Sequence, residues 1–238
     1  MAMTVRSLRR YPVKAMGGEP LDAAVLDARG LVGDRWFAVV DDEGHLAAGK
    51  NTRRFRRRDG VFLYGASTTD DGVVVAGPGG TWPVGSEALD AELTRALGVP
   101  SRVLPEVGMS FFDAGAVSLV GTATLAWCAG QWGIDADPRR LRVNVVIETD
   151  EPFVEESWLG ADVTVGEVGL RTVQRIERCR TIDLAQDGVA VHDRWLKPLA
   201  ARDLRVGVYA DVVVPGVVRV GDVVSSSSVR PDGRTAAT

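Results

Sequence analysis

The sequence predicts a mainly β protein with a few helices, an α+β fold in which an N-terminal β-barrel-like module packs on a second β-rich domain. Short runs of β-branched and apolar residues recur at close spacing, and such runs read as strands. Turn dipeptides such as Asp59-Gly60 and Asp71-Gly72 punctuate them, as a small barrel or sandwich requires. The chain of 238 residues is 45% hydrophobic and 25% charged, enough for one large domain or two small ones.

In chain order, strands are expected over 5–9, 23–26, 36–40, 61–64, 73–76 and 82–84. Ser86 caps a helix that places Leu89, Leu93, Ala96 and Leu97 on one face and stops at Gly98. Beyond Pro100 the pattern changes: a strand over 117–120, a helix from Thr122 to about Trp132, then strands over 143–147, 163–165, 170–176, 206–214 and 217–220. The division expected is a first module over 1–100, a second domain over 101–224 and a flexible tail over 225–238, which opens with four serines.

Several classes are excluded. A net charge of −4 does not suit a general nucleic-acid binder. The run Arg53-Arg54-Phe55-Arg56-Arg57-Arg58 is short and sits in an acidic chain, so it reads as a solvated loop. No stretch approaches the roughly 18 apolar residues of a membrane span. The first residues run into a strand without a signal-peptide core, so a cytoplasmic protein is expected. Cys128 and Cys179 are the two cysteines, too few for a disulfide framework or a protein-held iron–sulfur cluster. His45 and His192 lack metal-ligand spacing.

Cys179 follows the strand over 170–176, and Arg175, Arg178 and Arg180 lie within four positions of it. Nearby positive charge favours a thiolate, which suits a soft-metal ligand or a nucleophile; a half-buried structural cysteine beside surface arginines is the other reading. Cys128, in Leu125-Ala126-Trp127-Cys128-Ala129, belongs to an apolar helix and the core. Lys14, Arg35 and Arg142 each adjoin apolar strand residues. Such cations are either outward-facing edge charges or members of an anion site, and spacing does not choose between these. Asp113 is either a turn-capping aspartate or a proton-handling or cofactor-contacting carboxylate.

Tyr11-Pro12-Val13-Lys14, followed by Gly30-Leu31-Val32-Gly33-Asp34-Arg35-Trp36-Phe37, resembles the N-terminal β-barrel module that precedes MOSC domains. Leu141-Arg142-Val143-Asn144-Val145-Val146-Ile147, Glu156-Ser157-Trp158, Arg178-Cys179 and Val206-Gly207-Val208-Tyr209 resemble the MOSC domain itself. The family includes the mitochondrial amidoxime-reducing component and bacterial reductases of N-hydroxylated compounds. The resemblance implies a molybdenum cofactor (molybdopterin) whose metal takes Cys179 as its protein ligand. Lys14, Arg35, Arg142, Asn144 and Arg178 would hold the pterin and its phosphate. It implies an oxidoreductase acting on a small-molecule substrate, with electrons from a separate donor protein because no cysteine cluster follows. A sulfur carrier or transferase using a Cys179 persulfide is the alternative. Two positions depart from the family pattern: Ala15 stands where a serine is usual, and Asp113-Ala114-Gly115 replaces an aspartate followed by a hydroxyl-bearing pair.

Overall fold

The computed structural model describes residues 2–191 and 195–227. His192 and most of the expected tail lie outside them. Strands dominate, as expected. An eight-stranded sheet takes them in the order Val224–Ser226, Asp162–Val165, Val168–Glu177, Arg205–Val214, Val117–Gly121, Val145–Glu148, Thr4–Arg10, Glu19–Leu21. Its ends approach each other: Val5 N donates to Asp222 O at 2.9 Å, Gly221 N to Val5 O at 2.8 Å and Val224 N to Met3 O at 2.9 Å. The sheet therefore curls like a barrel around Leu8, Leu119, Ile147, Leu170 and Val208. Alternation in Val168–Glu177, whose first residues are by turns buried and open, puts the apolar set on the inner face.

A three-stranded sheet joins Gly216–Arg219, Ala23–Asp27 and Gly30–Leu31, and two further small sheets belong to the first module. One joins Ser101–Pro105, Phe37–Asp41, Leu46–Ala48 and Phe55–Arg57; the other joins Gly80–Pro83, Gly72–Gly77 and Gly65–Thr69. The helix Glu87–Leu97 closes this module. The Ser86 hydroxyl accepts from Leu89 N, Gly98 ends the helix at φ 71°, and Leu89 and Leu93 are fully buried. A third core lies under the helix Thr122–Trp132, where Cys128, Trp195, Leu199 and Val206 pack.

Three local expectations are revised. Residues 61–64 belong not to a strand but to the 3₁₀ turn Asp59–Leu63. Val61 and Phe62 are both buried while Leu63 is 62% exposed, so the apolar run follows the turn rather than alternating. The modules also exchange strands across residue 100: Ser101–Pro105 pairs with Phe37–Asp41, and Thr4–Arg10 pairs with Val145–Glu148. Within the expected tail, Ser225 and Ser226 pair with Thr164 and Val163.

That exchange positions the site. After Arg10 the chain leaves the large sheet and runs beside the first module. Arg35 N donates to Tyr11 O at 2.7 Å, Phe37 N to Pro12 O at 3.1 Å and Lys14 N to Phe37 O at 2.8 Å. It then turns back at Gly17 and Gly18 so that Glu19 pairs with Arg10. A Cβ at Gly18 would collide with the Arg10 carbonyl oxygen and come within 2.7 Å of the Tyr11 ring. Gly18→Ala is therefore expected to cost roughly 1–3 kcal/mol, the scale of overpacking, seen as a lower urea midpoint at unchanged slope. A midpoint equal to wild type would show that the turn yields freely.

Candidate functional site

Where the two modules meet, a narrow cavity of about 120 Å³ is lined by Lys14, Arg35, Arg142, Arg178 and Cys179. A wider, open cavity of about 630 Å³ continues from it and shares Lys50, Asp113, Glu177, Arg178, Cys179 and Tyr209. Cys179 stands at the junction, half-buried, with its Sγ 3.2 Å from Thr181 Oγ1. Four of the five cofactor-binding residues named from the sequence are thus brought together with the cysteine.

The narrow end is built around Tyr11. Its fully buried ring carries three guanidiniums, with the carbons of Arg142 at 4.4 Å, Arg35 at 5.0 Å and Arg9 at 5.9 Å from the ring centre. Contacts of this kind stabilise a cation where water is scarce. Burial pushes the phenol up to about 12, so it stays protonated. Asp34, also fully buried, accepts from Tyr11 N at 2.8 Å through one oxygen and from Arg35 Nη1 through the other. Burial opposes the charge of Arg35, but Asp34 outweighs it and raises the guanidinium's pKa.

Arg142 and Arg178 have no such partner. Arg142 Nη2 donates to Met16 O at 2.7 Å, and its Nη1 is buried with no hydrogen-bond partner. Arg178 donates to the carbonyls of Leu141 at 2.6 Å and of Val206 at 2.8 and 3.0 Å. Neither forms an ion pair with a carboxylate among the described residues. Burial lowers the pKa of Arg142 and brings that of Arg178 down to about 10. Cations desolvated without counter-charge form a site that an anion would stabilise.

Lys14 is 4% exposed, and burial lowers its ammonium to about 8 against the pull of Asp113. Asp113 bridges two lysines: Oδ2 lies 2.9 Å from Lys14 Nζ and Oδ1 lies 2.9 Å from Lys50 Nζ. Packing opposes the charge on Asp113, yet the two ammonium groups hold its carboxyl well below the usual carboxylate range. A carboxyl so acidic is ionised near neutrality. In this structure Asp113 is the shared counter-charge of Lys14 and Lys50.

Asn144 is the residue not brought to the cavity. It is 2% exposed; its Oδ1 accepts from Ser118 Oγ at 2.8 Å and Ser118 N at 3.2 Å, and its Nδ2 donates to Arg9 O at 3.2 Å. It holds Ser118, which does line the cavity, from behind. Sequence reasoning missed Asp34, Lys50 and Tyr209. Asp34 stood beside the arginine that attracted notice, and Lys50 lies three residues before the basic run Arg53–Arg58 assigned to solvent.

Ala15, Arg35 and Arg142 line the cavity in the left-handed region, at φ 69°, 53° and 52°. Non-glycine residues are uncommon there, and such outliers cluster at functional sites. The loop before Lys50 lies close: a Cβ at Gly49 would collide with the hydroxyl of Thr181.

This chain belongs to the MOSC domain family: residues 107–225 match the MOSC domain and residues 2–82 match the MOSC N-terminal beta barrel domain. Among solved structures it is similar to the YuaD protein from Bacillus subtilis, 14% identical over 95% of this chain and 96% of that one, with a TM-score of 0.51. YiiM from Escherichia coli is 13% identical over 96% of this chain and 70% of that one, with a TM-score of 0.46. No curated protein matches the chain. No described helix is long and apolar enough to cross a membrane.

Sulfate keeps its charge across mild alkali and can probe the narrow end. The free Lys14 ammonium titrates near 8, and a bound anion raises that value, so affinity is greatest below about pH 8 and declines above it. Calorimetry at constant ionic strength should show this decline in wild type and not in Lys14→Met. Asp113→Asn should bind sulfate about two- to fivefold more tightly, the scale of one part-exposed ion pair. Flat affinity across pH in wild type would remove Lys14 from the anion site.

Proposed function

We propose that the protein is a molybdenum-cofactor oxidoreductase that reduces N–O bonds or transfers an oxygen atom in a small molecule. The observation that carries this reading is the convergence of Lys14, Arg35, Arg142 and Arg178 on the cavity of Cys179, with Arg142 Nη1 left without a partner. A pterin bearing a phosphate would supply the anion that Arg142 and Arg178 lack. Among the described residues no group of three or more His, Cys, Asp or Glu could hold a metal. Cys179 would therefore be the protein's single ligand, and the rest would come with the cofactor's own sulfur and oxygen atoms, a soft donor set suited to molybdenum.

When bound, the cofactor would supply the oxygen-atom and two-electron chemistry. The chain's residues divide the other tasks. Lys14, Arg35 and Arg142 would hold the phosphate, and Tyr11 keeps two of those guanidiniums in place. Arg178, fixed by three carbonyl hydrogen bonds, lines the cavity next to Cys179. The open cavity admits substrate past Leu159, Val173 and Tyr209. Electrons come from a separate donor protein, and a cytoplasmic setting suits a reductase of this kind.

A second reading makes Cys179 a sulfur carrier through a persulfide. The half-buried thiol facing an open mouth supports it, but a persulfide needs neither Arg142 nor Lys14.

Cys179→Ser and Cys128→Ser separate these readings. In protein from a host that makes molybdopterin, wild type is expected to carry stoichiometric molybdenum. Cys179→Ser should keep most of the pterin, alter the molybdenum spectrum and lose N-hydroxy reductase activity with an artificial donor. Cys128, fully buried, should cost about 1–3 kcal/mol as an unpaired buried hydroxyl, with activity per folded molecule retained. Metal-free wild type carrying transferable persulfide sulfur on Cys179 would replace the cofactor reading with the carrier.

A further inference from the structure

The basic run that sequence reading left to solvent lies beside a second surface feature. Leu104, Val107 and Met109 are 42%, 81% and 58% exposed. With Phe111 they line an open groove of about 500 Å³ whose wall also includes Arg53 and Arg54. Apolar side chains this exposed, next to charged ones, mark an interaction site.

The charges on the run are not balanced internally. Arg57 pairs with Asp59 at 3.0 Å and Arg58 lies 3.5 Å from Asp41. Arg54 donates to Ser110 O at 2.6 Å and Arg56 to Thr52 O at 2.9 Å, both neutral carbonyls. Arg53, Arg54 and Arg56 form no ion pair among the described residues.

Two chain segments run from the groove to the candidate site. One chain segment supplies Lys50 to the mouth and Arg53 and Arg54 to the groove; another supplies Asp113 to the mouth and Val107, Met109 and Phe111 to the groove. A protein seated there would touch both segments that frame the route to Cys179.

We propose that this groove and its arginines dock an acidic one-electron carrier protein, the donor that the reductase reading requires. Breaking the N–O bond of R–NHOH to give R–NH₂ and water consumes two electrons and two protons. Two reduced carriers each lose one electron, and the protons come from solvent. The exposed apolar residues form the centre of the contact, and the arginines attract the carrier's carboxylates and set its orientation. The proposal rests on the reductase reading for its purpose, but the surface is testable by itself.

The test titrates the molybdenum-loaded chain with an acidic [2Fe–2S] ferredoxin by calorimetry, with basic cytochrome c as the opposite-charge control. Wild type should bind ferredoxin, weaken at least about tenfold between low and raised salt, and ignore cytochrome c. Arg53→Glu/Arg56→Glu and Val107→Asp should each weaken ferredoxin binding by at least about tenfold while keeping sulfate affinity and turnover with an artificial donor. Unchanged ferredoxin affinity in these variants overturns the proposal, as does equal binding of cytochrome c. A wild-type dimer that Val107→Asp dissociates would assign the groove to a second copy and also overturn it. Ferredoxin binding by a chain that never acquires molybdenum would sink the reductase reading and leave the docking surface standing.

Discussion

Asp34 is the constraint on which the narrow end of the site depends. It has no exposed surface, and removing one partner of a buried charge costs about 3–5 kcal/mol, so its two contacts are obligatory. One is the backbone N–H of Tyr11 and the other the guanidinium of Arg35. A single carboxylate thereby fixes the path of Tyr11-Pro12-Val13-Lys14 and the direction of Arg35. The Tyr11 ring, once placed, provides a face for Arg142 from the other module. Cations that would repel one another are held together because the neutralising carboxylate lies behind them rather than among them.

The same arrangement explains why the backbone is strained where it is. Arg142 follows the short helix Pro138–Leu141 and adopts the left-handed conformation as its cap. That turn sends the guanidinium towards Tyr11 instead of along the strand. Arg35 is left-handed for the same purpose, between the buried Asp34 and the strand Phe37–Asp41. A non-glycine residue held this way costs on the order of 1–3 kcal/mol. Packing and hydrogen bonds compensate, and the return is a cationic pocket whose members cannot relax outward.

These relations mark what the sequence reveals. The strand class was legible because β-branched runs and turn dipeptides are local signals, and Ser86 and Gly98 bracket their helix as capping chemistry requires. Cys179 stood out because arginines surround it. The convergence of Lys14, Arg35 and Arg142 was not legible from spacing, since it arises when Thr4–Arg10 pairs with Val145–Glu148 across more than half the chain. Asn144 went astray for a related reason. Arg142 and Asn144 are two apart and would share a face on a regular strand, but the left-handed turn at Arg142 breaks the alternation and leaves Asn144 hydrogen-bonded inside the sheet. The sequence leaves Asp113 between a turn cap and a proton-handling or cofactor-contacting carboxylate; its pairing with two lysines, one buried and one on a loop that nothing in the sequence singles out, arises only from the fold.

The site also divides its labour along one axis. At the closed end the groups are buried and cationic, with directions fixed by Asp34, Tyr11 and backbone carbonyls, as suits holding one ligand permanently. The open end is a cavity about five times larger, suited to traffic, and Lys50, Asp113, Glu177 and Tyr209 line both it and the narrow end. Cys179 does the same. Its neighbours reflect that position: Arg178 on one side is locked to carbonyls of the large sheet and of the helix ending at Leu141, and Lys50 on the other is carried by a loop of the first module. Neither module alone holds both ends. Val5, Leu8, Leu26 and Leu31 share one core with Leu119, Ile147 and Val208, so separating the modules would break that core together with the site, and the strand exchange between them is what joins the fold to its chemistry.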